Sequence, residues 1–184
     1  MIRIYLIRHG IAEDPAPATP DDSRALTAKG RRRFRRGSRA FARRGEPLTR
    51  LFTSPLVRAV QTAEILARSL GRDEVSVLEE LRSGAPAAKV IEALASRAKD
   101  GDSVALVGHD PQMSNLVAVL AQLGPEDAAR VQFRKGAIVR IDVDALPPRR
   151  SESRWHMKPR SRSFAEGLPL AKKPTAASPS RGGR

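Results

Sequence analysis

Ile2-Arg3-Ile4-Tyr5-Leu6-Ile7-Arg8-His9-Gly10 is the stretch whose reading decides the fold. Residues 2–7 are apolar apart from Arg3 and rich in isoleucine, the composition of a strand buried on both faces. Gly10 and the proline-rich run from Asp14 to Asp22 then make a loop. The layout recurs once. Ser103-Val104-Ala105-Leu106-Val107 is apolar after its first residue and runs into Gly108-His109. In an open α/β sheet, ligands bind at the carboxyl ends of the strands, so two adjacent parallel strands of this kind bring both imidazoles to one crevice. A single histidine in a loop is most simply structural. Two of only three histidines in matching positions point to a shared site.

The rest of the chain alternates between strand and helix. Thr27 is a fitting N-cap for a helix from about 28 to 44, with Phe34 and Phe41 inward and Arg31, Arg32, Arg35, Arg39 and Arg43 outward. Leu51–Thr53 is a short strand, and Pro55 can occupy the first turn of the following helix to about Leu70. Val75–Leu78 is a strand candidate, and Pro86–Ala98 and Met113–Leu120 are helices. Ala137–Val143 alternates and reads as a strand near the sheet edge, with Arg154–Met157 beside it. This order predicts an α/β three-layer α/β/α sandwich with a mostly parallel central sheet. Residues 160–184 are mostly Ser, Pro, Ala, Lys and Arg, so the domain is predicted to span 1–159 and the remainder to be a disordered basic tail.

Composition narrows the chemistry. The 184 residues contain no cysteine, which excludes disulfides, zinc–thiolate centres and thiol nucleophiles. No Asp/Glu/His cluster has metal-ligand spacing, so neither a metal nor another cofactor is called for. No apolar run is long enough to span a bilayer, and the chain reads as soluble and cytoplasmic, with no membrane partner. The formal charge is +14, and the ten Lys/Arg and two Glu from Pro147 onward carry +8 of it. Such an excess favours anionic partners. The tail can make weak contact with acidic protein or nucleic acid. The arginine-rich helix, with nine positive residues between Lys29 and Arg44, is first of all a solvated face.

An anion site needs fixed positive charge. Arg8 precedes His9, and Arg58 lies near the start of the helix opened by Ser54-Pro55, where free backbone N–H groups also favour an anion. A guanidinium fork suits phosphate oxygens.

Arg8-His9-Gly10 at the end of the first strand is followed by Leu26-Thr27-x-x-Gly30, then by Ser54-Pro55-x-x-Arg58-Ala59-x-Gln61-Thr62-Ala63, then by Gly108-His109. In that order and spacing the chain resembles the histidine phosphatase superfamily, the phosphoglycerate-mutase-like proteins. The short length and Trp155-x-Met157-x-Pro159 resemble its compact SixA branch of phosphohistidine phosphatases. The resemblance covers residues 1 to 159. It implies that His9 is a nucleophile and that Arg8, Arg58 and His109, with Gly10, complete a phosphate pocket. It implies a metal-independent hydrolase of phosphoric monoesters or phosphoramidates. It also offers Glu80, in Leu78-Glu79-Glu80-Leu81, as the acid that protonates the leaving group. There are departures. Ile7 stands where many members carry leucine, Ile11-Ala12-Glu13-Asp14-Pro15 lacks the asparagine common after the motif, and Asp110 follows His109 where the compact branch often has an uncharged residue.

Protein phosphohistidine is the leading substrate. The alternatives are a small phosphate ester, such as a sugar phosphate or nucleotide, and a non-catalytic module that docks on phosphoprotein or nucleic acid. An intact set of Arg8, His9, Arg58 and His109 argues for retained chemistry.

Overall fold

The computed structural model describes residues 1–173. A seven-stranded sheet runs through it: β1 (Ile2–Arg8), β2 (Arg50–Thr53), β3 (Ser76–Val77), β4 (Ser103–Gly108), β5 (Ile138–Val143), β6 (Ser151–Met157) and β7 (Phe164–Glu166). Their order across the sheet is β3-β2-β4-β1-β5-β6-β7. The run from β3 to β1 is parallel, and β5, β6 and β7 follow antiparallel.

The helices are α1 (Ala28–Ala42), α2 (Val57–Ser69), α3 (Ala87–Ala95), α4 (Gln112–Leu120) and the single turn α5 (Pro125–Ala128). They lie on both sides of the sheet because β1 is apolar on both faces. Ile2, Ile4 and Leu6 pack with the buried side chains of α3 and α4, among them Leu94, Met113 and Leu116. Tyr5 and Ile7 pack on the opposite face with Phe34 and Phe41 of α1 and Ala59, Ala63 and Leu66 of α2. The result is the expected α/β/α sandwich. No helix among the described residues is long and apolar enough to cross a membrane.

Three expectations need correction. Pro55 lies ahead of α2 rather than in its first turn, which makes Arg58 the second helical residue. The alternating segment that forms β5 is interior, between β1 and β6, because its outward-looking polar positions are taken up by an internal charge cluster. The domain does not end at Pro159. Phe164 on β7 stacks edge-on to Trp155 with centroids 5.0 Å apart. Further on, Leu168 packs against the core, and Gln132 N donates to Pro169 O at 2.8 Å. Three large apolar side chains, Phe164, Leu168 and Leu170, spread over seven positions give little hydrophobic signal, and the segment is held by cross-strand hydrogen bonds that composition does not reveal. Residues 174–184, the remainder of the expected tail, lie outside the described residues.

Candidate active site

β1 and β4 are parallel neighbours in register, Arg8 opposite Gly108, and His9 N donates to Gly108 O at 3.0 Å. The strands therefore end side by side, and the His9 and His109 rings lie 5.1 Å apart, both buried. Arg58 enters from the start of α2 and is 3% exposed. Arg8 is half-buried at the end of β1. The four residues singled out by motif thus meet at one end of the sheet.

The loop after His9 is held by residues that the motif contains for this purpose. Gly10 N donates to Thr62 Oγ1 at 3.1 Å, and Thr62 Oγ1 donates to Arg58 O at 2.6 Å. Leu26 N donates to Gln61 Oε1 at 2.7 Å, and Thr27 N donates to Ile11 O at 3.0 Å. Thr27 also caps α1, its Oγ1 accepting from Gly30 N. Gly30 has to be glycine, since a Cβ there would stand 2.0 Å from Ile11 O. The Leu26-Thr27-x-x-Gly30 and Gln61-Thr62 pairs are a brace on the loop after His9. From the other side, Gly136 N donates to the carbonyls of Arg8 and His9.

His9 Nδ1 lies 2.7 Å from Gly10 O. A carbonyl only accepts, so Nδ1 carries the hydrogen and Nε2 keeps its lone pair. Burial lowers the His9 pKa to about 3, with His109 and then Arg58 and Arg8 adding repulsion that outweighs the Gly10 hydrogen bond. His9 is therefore a neutral imidazole at physiological pH. Burial, then Arg58, similarly lowers His109 to about 4. His109 Nε2 lies 2.8 Å from Ser54 Oγ, and Leu56 N donates to the same oxygen.

Five buried side-chain polar atoms lack a partner among the described residues, and four belong to this region: Arg8 Nε, Arg58 Nε, His109 Nδ1 and Gln112 Oε1. Gln112 Oε1 can only accept, but Arg8 Nε, Arg58 Nε and, in one tautomer, His109 Nδ1 are donors; orphaned buried donors are rare and costly, and three in one region suit an anion. What the pocket offers now is partly occupied by carboxylates of the chain. Asp21, in the turn Asp21–Ser23, accepts from Arg58 Nη1 at its carbonyl (2.7 Å) and from Arg58 Nη2 at its carboxylate (2.9 Å). Asp110 Oδ2 lies 3.5 Å from Arg8 Nη1, which donates to Phe133 O at 2.6 Å. Asp22 ties the same turn to Arg82.

Glu80 is half-buried on the turn Glu79–Leu81. Gln112 Nε2, three residues beyond His109, donates to the carbonyls of Glu80 and Ala85 at 2.8 Å each. The Glu80 turn is thereby fastened to the start of α4. Sequence reasoning missed Asp21, Ser54 and Gln112. Ser54 stands inside the quoted motif, whereas Asp21 lies in a loop with no periodicity and reaches Arg58 only through the fold.

The histidine phosphatase superfamily model, branch 1, matches residues 4–86. The structure of the protein histidine phosphatase SixA complexed with tungstate superposes with a TM-score of 0.76 at 26% identity, covering 88% of this chain and 99% of that one. The chain belongs to the histidine phosphatase superfamily. An uncharacterized protein of Picosynechococcus is 33% identical over 147 residues, 74% of this chain and 87% of that one. A mycobacterial glucosyl-3-phosphoglycerate phosphatase shares the fold, with a TM-score of 0.63 at 18% identity over 82% of this chain and 96% of that one. Membership with SixA as a neighbour supports phosphatase activity on a phosphorylated substrate.

Proposed function

We propose that this histidine phosphatase acts on protein phosphohistidine, independently of metal, through a phosphohistidine on His9. The observation that carries the mechanism is the pinned His9 ring. Nδ1 is committed to Gly10 O, and Nε2 is an uncharged lone pair beside two guanidinium groups. His9 Nε2 attacks phosphorus, and the bond from phosphorus to the leaving group breaks. Arg8 and Arg58 offset charge on the transferring oxygens. Water then attacks the phosphorus on Nε2, a proton passes to solvent, and phosphate leaves with the His9 lone pair restored. His109 can donate to a phosphate oxygen when Ser54 gives its hydroxyl hydrogen to Nε2 and leaves Nδ1 protonated. A departing imidazole is a weak base and needs little help. A departing alkoxide needs a proton, and Glu80 is the residue proposed to supply it. The likeness to SixA supports phosphohistidine, and the shared fold of a phosphatase named for a small phosphoglycerate ester supports the small-ester reading as the second choice.

The test is a labelling experiment followed by a substrate pair. A short incubation with radiolabelled substrate and an alkaline quench should trap an acid-labile label on the wild-type chain and none on His9→Ala, whose turnover should fall by at least about 10³-fold. His109→Ala should still label. Glu80→Gln should slow an alkyl ester by about 10²-fold and a phosphohistidine peptide far less. Wild-type turnover by His9→Ala would end the covalent mechanism. Turnover of esters with none of phosphohistidine would replace the substrate.

A further inference from the structure

A cleft of about 550 Å³ lies beside the histidine pair rather than on it. Its rim carries Arg33, Arg134, Lys135, Lys158 and Arg160, and no Asp or Glu lines it. None of these five cations has a carboxylate within salt-bridge distance among the described residues. Arg24, Arg58, Arg82, Arg130 and Arg140 do have acidic partners, whereas the arginines on the outer face of α1, among them Arg32 and Arg36, have none within salt-bridge distance among the described residues. A neighbouring hollow of about 290 Å³ shares Arg33 and Arg160 and adds four further cations. So many unpaired like charges around one concavity repel one another, and they focus the field on whatever enters it.

The cleft is continuous with the catalytic loops. Ile11, two residues past His9, is part of its wall. Arg134 and Lys135 precede Gly136, whose N–H holds the carbonyls of Arg8 and His9. Between the cations the lining is mixed, with Ile11, Pro169 and Leu170 as apolar patches beside Gln132 and Ser161. No Phe, Tyr or Trp lines either hollow, and His156 is the single aromatic ring in the larger one, a poor platform for a run of stacked nucleic-acid bases. A cationic rim around a floor of mixed apolar and polar side chains, extending over two hollows, matches a protein segment that presents carboxylates and a few apolar side chains.

We infer that this cleft docks an acidic segment of the protein that carries the phosphohistidine, next to the histidine to be dephosphorylated. The inference rests on the substrate reading above and adds the selection among such proteins. Docking of this kind lowers KM and leaves the chemical step unchanged.

Two phosphohistidine peptides, identical except for an Asp/Glu-rich or a neutral flank, are the probes, with a small ester as reference. The wild type should favour the acidic peptide by about tenfold in kcat/KM, through KM, and salt should shrink the preference. Arg134→Glu combined with Arg160→Glu should erase it and leave the neutral peptide and the ester unchanged. Equal rates on both peptides by the wild type, or a preference that survives the double charge reversal, would overturn the docking cleft while leaving phosphohistidine hydrolysis standing. Fluorescence anisotropy with the unphosphorylated acidic peptide separates the two readings. Binding that the double variant loses, with neither phosphopeptide turned over, would support the cleft and sink the substrate reading instead. A single-stranded oligonucleotide of equal charge that binds as tightly as the acidic peptide would overturn the assignment to protein.

Discussion

Arg140 and Arg58 are both guanidinium groups drawn in against the sheet, yet one is saturated and the other is not. Arg140 donates from Nε and Nη2 to Asp142 at 2.8 and 2.7 Å and from Nη1 to Glu46 at 2.6 Å. Its partners are themselves buried, and Glu46 also accepts from Tyr5 and Trp155. The paired carboxylates, Asp142 first, raise the Arg140 pKa, and burial followed by Glu46 pushes the Tyr5 hydroxyl far above its ordinary value. Arg58 is more deeply buried, but its Nε has no partner, and the carboxylate that meets it comes from a residue whose side chain is 55% exposed. The difference teaches what each charge is for. A guanidinium held by Asp142 on its own strand and by Glu46 from the connection between α1 and β2 is part of the architecture. One held by a solvent-facing turn is open to exchange, and on the proposed mechanism the Asp21 carboxylate stands where a phosphate oxygen would bind.

The largest effect that separates the two is on rate. Arg58→Ala should lower kcat on a small phosphate ester by about 10²–10³-fold, the usual consequence of losing one donor to developing charge, while thermal unfolding changes little. Arg140→Met should do the opposite. It leaves Glu46 and Asp142 as buried charges without their partner and should cost about 3 kcal/mol in chemical denaturation, with kcat on the folded fraction within about twofold of wild type. If both substitutions act on rate alike, the division between architecture and site is wrong.

A smaller effect distinguishes the pocket by pH. His9 and His109 have folded pKa values of about 3 and about 4, below the value near 6.5 of an unfolded chain. Between those limits the unfolded state binds protons that the folded state refuses, so stability rises with pH through this window and levels off above it. Going from pH 7.5 to pH 5 should cost up to about 2 kcal/mol per histidine in urea denaturation, and His109→Asn should flatten the slope. The enzyme should show no acid limb in kcat/KM near pH 6.5 once the substrate's own ionisation is accounted for. An enzyme pKa near 6.5 would mean that His9 is not held neutral by its surroundings.

The smallest effect tests the exchange itself. The Asp21–Arg58 pair involves an exposed carboxylate and so contributes little to stability. Asp21→Asn removes the competing charge and should tighten inorganic phosphate about threefold in calorimetry, with the melting temperature unchanged. Weaker phosphate binding would make Asp21 a helper of the substrate rather than its stand-in.

The two buried strands, their terminal histidines and the arginines around them are legible in the residues alone, because period and apolarity are local properties. The alternation of strands and helices determined the α/β/α class, and the resemblance carried by the motifs gathered Arg8, His9, Arg58 and His109 as one set. Only the tertiary structure decided what each of them touches. That Nδ1 of His9 is committed to a carbonyl, that Asp21 lies on Arg58, and that Gln112 fastens the Glu80 turn depend on partners 32 to 37 residues apart or on the exact rotation of a ring. The same holds for β7, where three sparse apolar side chains gain order only against Trp155 and the core, and for the basic cleft, whose rim is assembled from α1, the approach to β5 and the segment after β6. Local pattern sets which face of an element is buried. Which charges end up paired, and which are left open to a ligand, is set by contacts between segments far apart in the chain.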